Sequence, residues 1–316
     1  MPIPFLDKKK ILAFAGLTAA LVLSFLLLIR FVPAGTGNNT LSLSDAAILG
    51  VVEGVTEYLP ISSTGHLLFT QKLLGLADTQ DAKSAADSYA IIIQFGAILA
   101  VAGLYRNRVR QIARGLLGKD RPGLNIGTNI VLAFLPAALV GLLFHTQIKA
   151  YLFGPWPIVV AWAAGGILLL IWRRGHNPLA ERFFLENITA RQALLIGLFQ
   201  CIALWPGMSR SLATIVGGVM VGLPLGVAVE FSFLLGGLTL SAASFYELAA
   251  NGHAVMQMYH PAVAGMGLLF SLVSAALSIK WLVSFLKHGS MAIFGYYRIV
   301  LALAATWYLL DLSNWI

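Results

Sequence analysis

Charged side chains are scarce in this sequence of 316 residues: 21 are Lys or Arg and 13 are Asp or Glu, which amounts to 11% of the chain. Soluble domains carry about 25% charged residues, so this chain has too few of them to cover a water-facing surface. Hydrophobic residues make up 59% of it. The shortage of charge excludes a soluble enzyme and a disordered chain, and it indicates that lipid surrounds most of the protein.

Cysteine is almost absent as well. The single cysteine, Cys201, lies in an apolar run and has no second cysteine to pair with, so a disulfide scaffold is excluded. A net charge of +8 is compatible with nucleic-acid binding in a soluble protein. In a membrane protein, however, the meaning of that charge depends on where the basic residues lie along the chain.

Long apolar runs are what the sequence has instead. The first run, residues 11–29, follows three lysines and is long enough to cross a bilayer. A cleaved signal peptide is the alternative, but the run is longer than a usual signal core, so we expect an uncleaved anchor within an N-terminal extension, residues 1–40. Six further spans are predicted at residues 88–105, 128–145, 158–172, 226–250, 261–285 and 291–310.

Two other hydrophobic stretches, residues 44–76 and 190–222, are broken by proline, glycine and polar clusters, so simple spans are not expected there. If each enters and leaves the bilayer on one side, the N-terminus is inside and fifteen basic residues face the cytoplasm against four outside. Six of the fifteen, from Arg106 to Arg121, are assigned to one loop. This asymmetry predicts re-entrant hairpins, and it excludes nucleic acid as a partner because the basic residues are spread over loops at one membrane face.

The two broken stretches resemble each other. Residues 46–53 read AAILGVVE and residues 193–200 read ALLIGLFQ, and a proline with a serine cluster follows each of them. Because three predicted spans separate the stretches, the second hairpin enters from the opposite side, as in an inverted-topology repeat. The predicted fold is therefore an all-α polytopic membrane protein with two re-entrant helical hairpins and about seven transmembrane helices.

The expected domain organisation follows from this pattern. Residues 41–316 form a single membrane domain after the N-terminal extension. Within it, we place repeat one at about 44–146, repeat two at about 190–285 and a last span at 291–310.

Two carboxylates lie four residues apart in the first hairpin. Glu53 and Glu57 share one face of a short helix that Ser44 or Asp45 can cap. Burying both at membrane depth together with Arg210 costs on the order of 7–10 kcal/mol, which favours a functional role over a structural ion pair. Paired carboxylate oxygens also suit a hard divalent cation such as Mg²⁺ or Ca²⁺.

Hydroxyl groups and a histidine open the next short helix. Ser62 and Thr64 suit either helix capping or contact with a bound anion. Ser63 and His66 lie three residues apart and near the carboxylates, which favours a nucleophile and an acid–base group.

The second hairpin adds a guanidinium group to the same design. Arg210 is the side chain best suited to holding phosphate oxygens in a fork, and three hydroxyls can donate beside it, those of Ser209, Ser211 and Thr214. Two opposed helix N-termini, an arginine, hydroxyls and carboxylates together predict a phosphate site with a metal ion.

Two more polar side chains interrupt apolar sequence. We expect Glu230 and Arg298 to pair with each other, because an unpaired charge at membrane depth is costly. The glycine pair Gly236–Gly237 is interpreted as a point of close helix packing.

Two segments resemble a known family, the undecaprenyl-diphosphate phosphatases of the bacitracin-resistance (BacA) type. They are EGVTEYLPISSTGH at residues 53–66 and LWPGMSRS at residues 204–211, and the resemblance runs from about residue 41 to the C-terminus. The first forty residues look like an addition. The second motif usually continues Ser-Gly-x-Thr, whereas a leucine, Leu212, stands here in place of the glycine.

The resemblance implies a bacterial inner-membrane hydrolase whose site faces the periplasm. Such an enzyme converts undecaprenyl diphosphate to undecaprenyl phosphate and inorganic phosphate, recycles the lipid carrier for cell-wall synthesis and confers bacitracin resistance. The resemblance also implies dependence on a divalent cation, Mg²⁺ or Ca²⁺. By position, it assigns the working residues as Glu53, Glu57, Ser63, His66, Ser209, Arg210, Ser211 and Thr214.

The predicted roles divide these residues into three groups. Four are expected to be catalytic, namely Glu57, Ser63, His66 and Arg210. The substrate-binding group is Ser62, Thr64, Ser209, Ser211 and Thr214, and the metal ligands are Glu53 and Glu57. The nucleophile is left open between Ser63, His66 and water.

A transporter or flippase of polyprenyl phosphates is the alternative function, because inverted repeats with broken helices are common in transporters. The expected partners are a polyprenyl diphosphate and membrane lipids. The oligomeric state is left open, with a homodimer as one arrangement.

Overall fold

The computed structural model describes residues 41–76, 80–172, 183–258, 261–287 and 289–313. These residues form eleven α-helices and one short 3-10 turn, with no strand among them. The all-α prediction is thereby confirmed. The predicted first span, residues 11–29, and the predicted extension, residues 1–40, lie outside the described part of the chain.

The helices follow one another with short connections. They are α1 (Leu43–Glu57), α2 (Ser63–Leu73), α3 (Gln80–Leu104), α4 (Arg106–Leu116), α5 (Arg121–Leu152), α6 (Pro155–Ile171), α7 (Ala190–Ile202), α8 (Arg210–Met220), α9 (Leu225–Met258), α10 (Pro261–Leu286) and α11 (Ala292–Ser313). The 3-10 turn is Leu185–Asn187 and precedes α7.

Within the described residues, four helices are long and apolar enough to cross a membrane. They are α5, the Leu225–Ala249 part of α9, α10 and α11, and α3 with α4 makes a fifth candidate if the two count as one broken span. A stretch of about 20 apolar residues matches the hydrocarbon thickness of a bilayer. The protein is therefore a multi-pass membrane protein.

The assignment of the basic stretch, residues 106–121, to a loop is wrong in one respect, because most of the stretch is helical. α4 starts at Arg106, immediately after α3, and the two helix axes differ in direction by 82°. Its basic and apolar residues recur at helical spacing, whereas the loop assignment rested on the low hydropathy of the stretch alone.

Each broken stretch folds as two short helices, α1–α2 and α7–α8. Reciprocal capping boxes start the first member of each pair: Ser42 with Asp45 on α1, and Thr189 with Gln192 on α7. The predicted cap of α1, Ser44 or Asp45, is thus corrected to Ser42, whose hydroxyl accepts a hydrogen bond from the Asp45 N–H at 3.1 Å. This cap also satisfies one of the free N–H groups at the helix start.

The second member of each pair begins in the same unusual way. Ser62 precedes α2 with φ +73°, and Ser209 precedes α8 with φ +76°. Among the described residues, these two are the non-glycine positions with positive φ. Residues other than glycine rarely adopt a positive φ, so its presence at both turns indicates that tertiary contacts hold the two turns in place.

The first half-helices are held by close packing against distant spans. α1 packs against α10, where a Cβ at Gly50 would collide with the backbone of Gly267. α7 packs against α5, where a Cβ at Gly197 would collide with the backbone of Ala133. Small residues permit this approach, as is usual between membrane helices. Both turns therefore reach the interior, where a large apolar cluster that includes Tyr58, Trp162 and Phe233 surrounds them.

Candidate active site

Both predicted carboxylates are buried at the end of α1. Glu53 is 1% exposed and Glu57 is 8% exposed. The Glu53 Oε1 atom has no hydrogen-bond partner among the described residues. Burying a carboxylate oxygen without a hydrogen-bond partner costs free energy. The Glu53 Oε1 atom is therefore a candidate to bind a cation or to accept a hydrogen bond from a ligand.

A chain of polar contacts links the two hairpins through Glu57. One carboxylate oxygen, Oε2, accepts a hydrogen bond from the Ser63 hydroxyl. The other, Oε1, forms an ion pair with Arg210 Nη2 at 3.1 Å, although these residues are 153 positions apart. The structure thus brings three of the four predicted catalytic residues into direct contact. Glu57 is placed both to accept the proton of Ser63 and to orient Arg210.

The guanidinium group of Arg210 is fixed on several sides. Nη1 donates to the Ser232 carbonyl oxygen at 3.0 Å, and Cζ lies 5.5 Å from the centre of the Tyr58 ring. Gly236 lies against the same group, because a Cβ there would overlap it. The Arg210 Nε atom is buried and has no partner among the described residues, which leaves one N–H free for a ligand.

The Gly236–Gly237 pair was interpreted as a point of close helix packing, and the structure assigns the close approach to Gly236, which meets the Arg210 side chain of α8. Gly236 makes room for the guanidinium of Arg210, whereas a Cβ at Gly237 would meet only Val101, at 4.0 Å. Spacing along the chain could not separate these two roles, because both glycines lie in the same apolar helix.

Most of the predicted substrate-binding hydroxyls bind protein atoms. Ser209 caps α8 through its hydrogen bond from the Leu212 N–H, at 3.3 Å. Ser211 donates to the Leu59 carbonyl oxygen at 2.9 Å, and Thr214 bonds the hydroxyl of Ser232 at 2.6 Å. These contacts join the second hairpin to the first hairpin and to α9.

Ser62 and Thr64 differ in their surroundings. The Ser62 side chain is buried but makes no capping hydrogen bond, and Thr64 is exposed. Of the two, only Ser62 lies inside the polar cluster at the turn.

His66 is buried, and both of its ring nitrogens have partners. Nδ1 lies 2.6 Å from the Ser62 carbonyl oxygen, and Nε2 lies 2.8 Å from the Tyr297 hydroxyl. The ring also stacks on Tyr297, with the two planes 8° apart. The hydrogen bonds of His66 therefore go to Ser62 and Tyr297, while the Ser63 hydroxyl bonds Glu57.

Arg298, on α11, joins the two turns and was missed as a site residue. It is fully buried, and its N–H groups donate to five carbonyl oxygens at 2.8–3.3 Å. The acceptors are Pro60 in the first turn, Gly207 and Met208 in the second, and Ala161 and Trp162 on α6. Five donors in a planar group can satisfy carbonyls from three segments at once, which a lysine cannot do.

The expected pairing of Glu230 with Arg298 is wrong. Glu230 instead pairs with Arg108 on α4, at 2.8 Å. Charged residues are rare within apolar helices, which is why the sequence drew attention to Glu230 and Arg298. Their rarity does not show which residue each of them contacts. A buried arginine can be satisfied by carbonyl oxygens alone, and here it is.

The donor set fits the divalent cation that the resemblance implies. Glu53 and Glu57 offer hard oxygen ligands, and the unpartnered Glu53 Oε1 atom is one such ligand. In the part of the chain that the structure describes, no three His, Cys, Asp or Glu side chains come together so that they could hold a metal ion by themselves. The remaining ligands of a cation would therefore come from a bound phosphate and water, as is usual for Mg²⁺.

Most of the sequence matches one family. The family model described as bacitracin resistance protein BacA matches residues 46–304, a range that covers nearly all of both hairpins and the first part of α11. This chain belongs to the BacA family.

Several undecaprenyl-diphosphatases are similar to the chain over most of its length. It is 44% identical to the undecaprenyl-diphosphatase of Sorangium cellulosum over 268 residues, which cover 83% of this chain and 85% of the relative. It is 44% identical to undecaprenyl-diphosphatase 1 of Chromobacterium violaceum over 279 residues, covering 86% and 99% respectively. It is 42% identical to undecaprenyl-diphosphatase 2 of Rhodospirillum rubrum over 268 residues, covering 84% and 95%.

Proposed function

We propose that this BacA-family protein is an undecaprenyl-diphosphate phosphatase. It hydrolyses undecaprenyl diphosphate to undecaprenyl phosphate and inorganic phosphate, which recycles the lipid carrier for cell-wall synthesis and confers resistance to bacitracin. The observation that carries the proposal is the contact chain Ser63–Glu57–Arg210 between the two hairpin turns. It combines a hydroxyl nucleophile, a base and a phosphate-binding cation at one point, a combination that a pure carrier does not need.

Ser63 is the nucleophile in this mechanism. Its oxygen attacks the terminal phosphorus while Glu57 takes the hydroxyl proton, and the bond from that phosphorus to the bridging oxygen breaks to release undecaprenyl phosphate. Glu57 passes this proton to the departing undecaprenyl phosphate and is again a carboxylate. Water then attacks the phosphoserine while Glu57 takes a proton from the water, and that proton goes to the Ser63 oxygen as the bond to phosphorus breaks and inorganic phosphate leaves. Each step conserves charge and protons, because the proton accepted by Glu57 is returned before the next turnover.

Arg210 supplies positive charge to the phosphates, and the carboxylates would do so only through a bound cation. The free N–H on Arg210 Nε donates to a phosphate oxygen, and the Ser62–Ser63 and Ser209–Arg210 helix starts add backbone N–H groups. A divalent cation held by Glu53 and Glu57 would offset the charge of the diphosphate. We assign His66 a positioning role, because its hydrogen bonds hold the turn at Ser62 rather than the Ser63 hydroxyl.

We also propose that the fold is an inverted-topology repeat with about seven spans in the bacterial inner membrane and a periplasm-facing site. An offset of 147 positions relates Ser42 to Thr189, Gly50 to Gly197, Glu53 to Gln200 and Ser62 to Ser209. The first pair caps the first half-helix of each hairpin, and the second pair is the glycine at which that half-helix packs against a distant span. The third pair is a buried polar residue, and the fourth is the residue with positive φ at the turn. Equivalent local structures at a constant offset support a duplicated unit.

The test is phosphate release by the full chain in detergent with undecaprenyl diphosphate as substrate. We expect Ser63→Ala and Arg210→Ala to lower kcat/KM by at least about 100-fold, while the exposed Arg121→Ala stays within about twofold of the parent. A phosphoserine trapped at Ser63 supports the covalent route. Full activity in Ser63→Ala would contradict that route, and no phosphate release by the folded parent would contradict the enzyme assignment.

A further inference from the structure

The four arginines of α4 differ in whether they pair with acidic residues. Arg108 is neutralised by Glu186 at 2.6 Å and Glu230 at 2.8 Å. Arg106, Arg110 and Arg114 recur every four residues, are exposed, and have no acidic partner among the described residues. Residues four apart lie on one face of a helix, so the three form a single basic stripe.

The orientation of α4 relative to α3 places this stripe along the membrane surface. If α3 crosses the bilayer, the 82° bend makes α4 run nearly parallel to the bilayer plane. Val109 and Leu116 lie on a different face of the same helix and are 42% and 70% exposed. A basic stripe beside exposed apolar residues is the pattern of a helix that lies at the membrane interface.

A cavity of about 570 Å³ lies beneath the apolar face of α4. Its walls come from α3, α4, α5 and α9, and include Ile98, Ile112, Val131 and Leu238. Nearly all of the lining is hydrocarbon, apart from hydroxyls such as that of Thr128. The cavity belongs to the size range that holds a small apolar ligand.

This cavity is separate from the candidate active site. Its lining on α9 is the face with Leu234, Gly237, Leu238 and Ser241, whereas Arg210 contacts α9 at Ser232 and Gly236. At 3.6 residues per turn, the two sets point to nearly opposite sides of the helix. A substrate whose phosphates are at Arg210 would therefore have to pass around α9 to reach the cavity.

We propose that α4 and the cavity form a binding site for an anionic glycerophospholipid. The phosphate headgroup contacts the stripe Arg106, Arg110 and Arg114, and one acyl chain occupies the cavity. Charge complementarity selects an anionic lipid, because three unpaired arginines face the surface at which anionic headgroups lie. The proposal does not depend on the phosphatase function.

The charge test is lipid retention by the full chain, measured by native mass spectrometry in neutral detergent. The probes are phosphatidylglycerol and phosphatidylcholine with the same acyl chains. We expect the parent to retain phosphatidylglycerol at least about tenfold more strongly than phosphatidylcholine. R106Q/R110Q/R114Q should weaken phosphatidylglycerol binding by roughly 100-fold, because each basic residue near an anionic headgroup strengthens binding about fivefold. The matched control is R191Q/K280Q/K287Q, which removes three exposed basic residues elsewhere and should keep the preference.

The cavity test leaves every charge in place. Gly237→Leu fills the cavity from α9, where a Cβ has room, and should lower phosphatidylglycerol retention by at least about tenfold. Gly103→Leu adds the same side chain where nothing lies within 4 Å, and should have no effect.

Three results with the two phospholipids would overturn the proposal, and a fourth would come from a competition with undecaprenyl phosphate. The first three are equal retention of the two lipids by the parent, an equal loss in the control triple variant, and unchanged retention in Gly237→Leu. Retention of undecaprenyl phosphate that phosphatidylglycerol cannot displace would assign the cavity to the substrate lipid instead. Thermal melting of each variant in detergent checks the fold, and Gly237→Leu provides the decision if the triple variant does not fold.

Discussion

Gly236 of α9 lies directly against the guanidinium group of Arg210, so that a Cβ at position 236 would overlap that group. The contact fixes how close α9 comes to the second hairpin. It also makes the position of a phosphate-binding arginine depend on a residue with no functional group of its own.

The first prediction follows from this contact. Gly236→Ala should displace Arg210 and lower kcat/KM by about 100-fold, because a misplacement of about 1 Å at a reacting group has an effect of that size. The adjacent Gly237→Ala is the control, since its Cβ would meet only Val101 at 4.0 Å, and its activity should match the parent. Phosphate-release kinetics measure both, and equal activities in the two variants would contradict the role of Gly236.

The second prediction concerns Arg298. Arg298→Met leaves five buried carbonyl oxygens without this donor, so we expect the free energy of unfolding to fall by more than about 3 kcal/mol, at about 1–3 kcal/mol for each unsatisfied group. Thermal melting in detergent would report the loss as a lower Tm. Arg121→Met, at an exposed position, is the control and should melt with the parent. An unchanged Tm in Arg298→Met would show that the two turns hold together without it.

The third prediction separates positioning from proton transfer at His66. Tyr297→Phe removes the partner of His66 Nε2, and His66→Gln replaces the ring itself. We expect both to lower kcat about tenfold while the shape of the pH–rate profile stays the same, because Glu57 contacts the Ser63 hydroxyl. The loss of one limb of the profile in His66→Gln would instead assign His66 to proton transfer.

The fourth prediction is a pH dependence of stability from the ion pair between Glu186, in the 3-10 turn, and Arg108, near the start of α4. Partial burial alone would raise the pKa of Glu186, but hydrogen bonds from its own backbone and from Arg108 and Gln111, with the charge of Arg108, outweigh it and lower the pKa. A carboxyl whose pKa is lower in the folded protein stabilises it above the unfolded pKa of about 4.3, and this contribution is lost as the pH falls through the folded value. The Tm of the parent should therefore drop below about pH 4 more steeply than that of Glu186→Gln. Parallel Tm curves would contradict the contribution of this ion pair.

The local features of the fold were predictable because they depend on neighbouring residues. Apolar runs predicted helices at the positions of α5, α9, α10 and α11, and interrupted runs predicted the half-helices of both hairpins. Glu57 was predicted as a site residue from its spacing to Glu53, and Ser63 from its spacing to His66. The structure joins Glu57 and Ser63 by a hydrogen bond. The helical nature of α4 escaped the same reasoning, since its hydropathy was considered without its period.

By itself, the sequence determined that the chain is helical, crosses a membrane several times and contains two interrupted stretches with buried charge. Those properties follow from composition and from the order of residues within one helix. Only the tertiary structure decided that Arg298 joins both turns through carbonyl oxygens and that His66 bonds Tyr297, 231 positions away. The physical reason is that such partners meet only when separate helices pack, and a backbone carbonyl, which every residue carries, leaves no mark in the sequence.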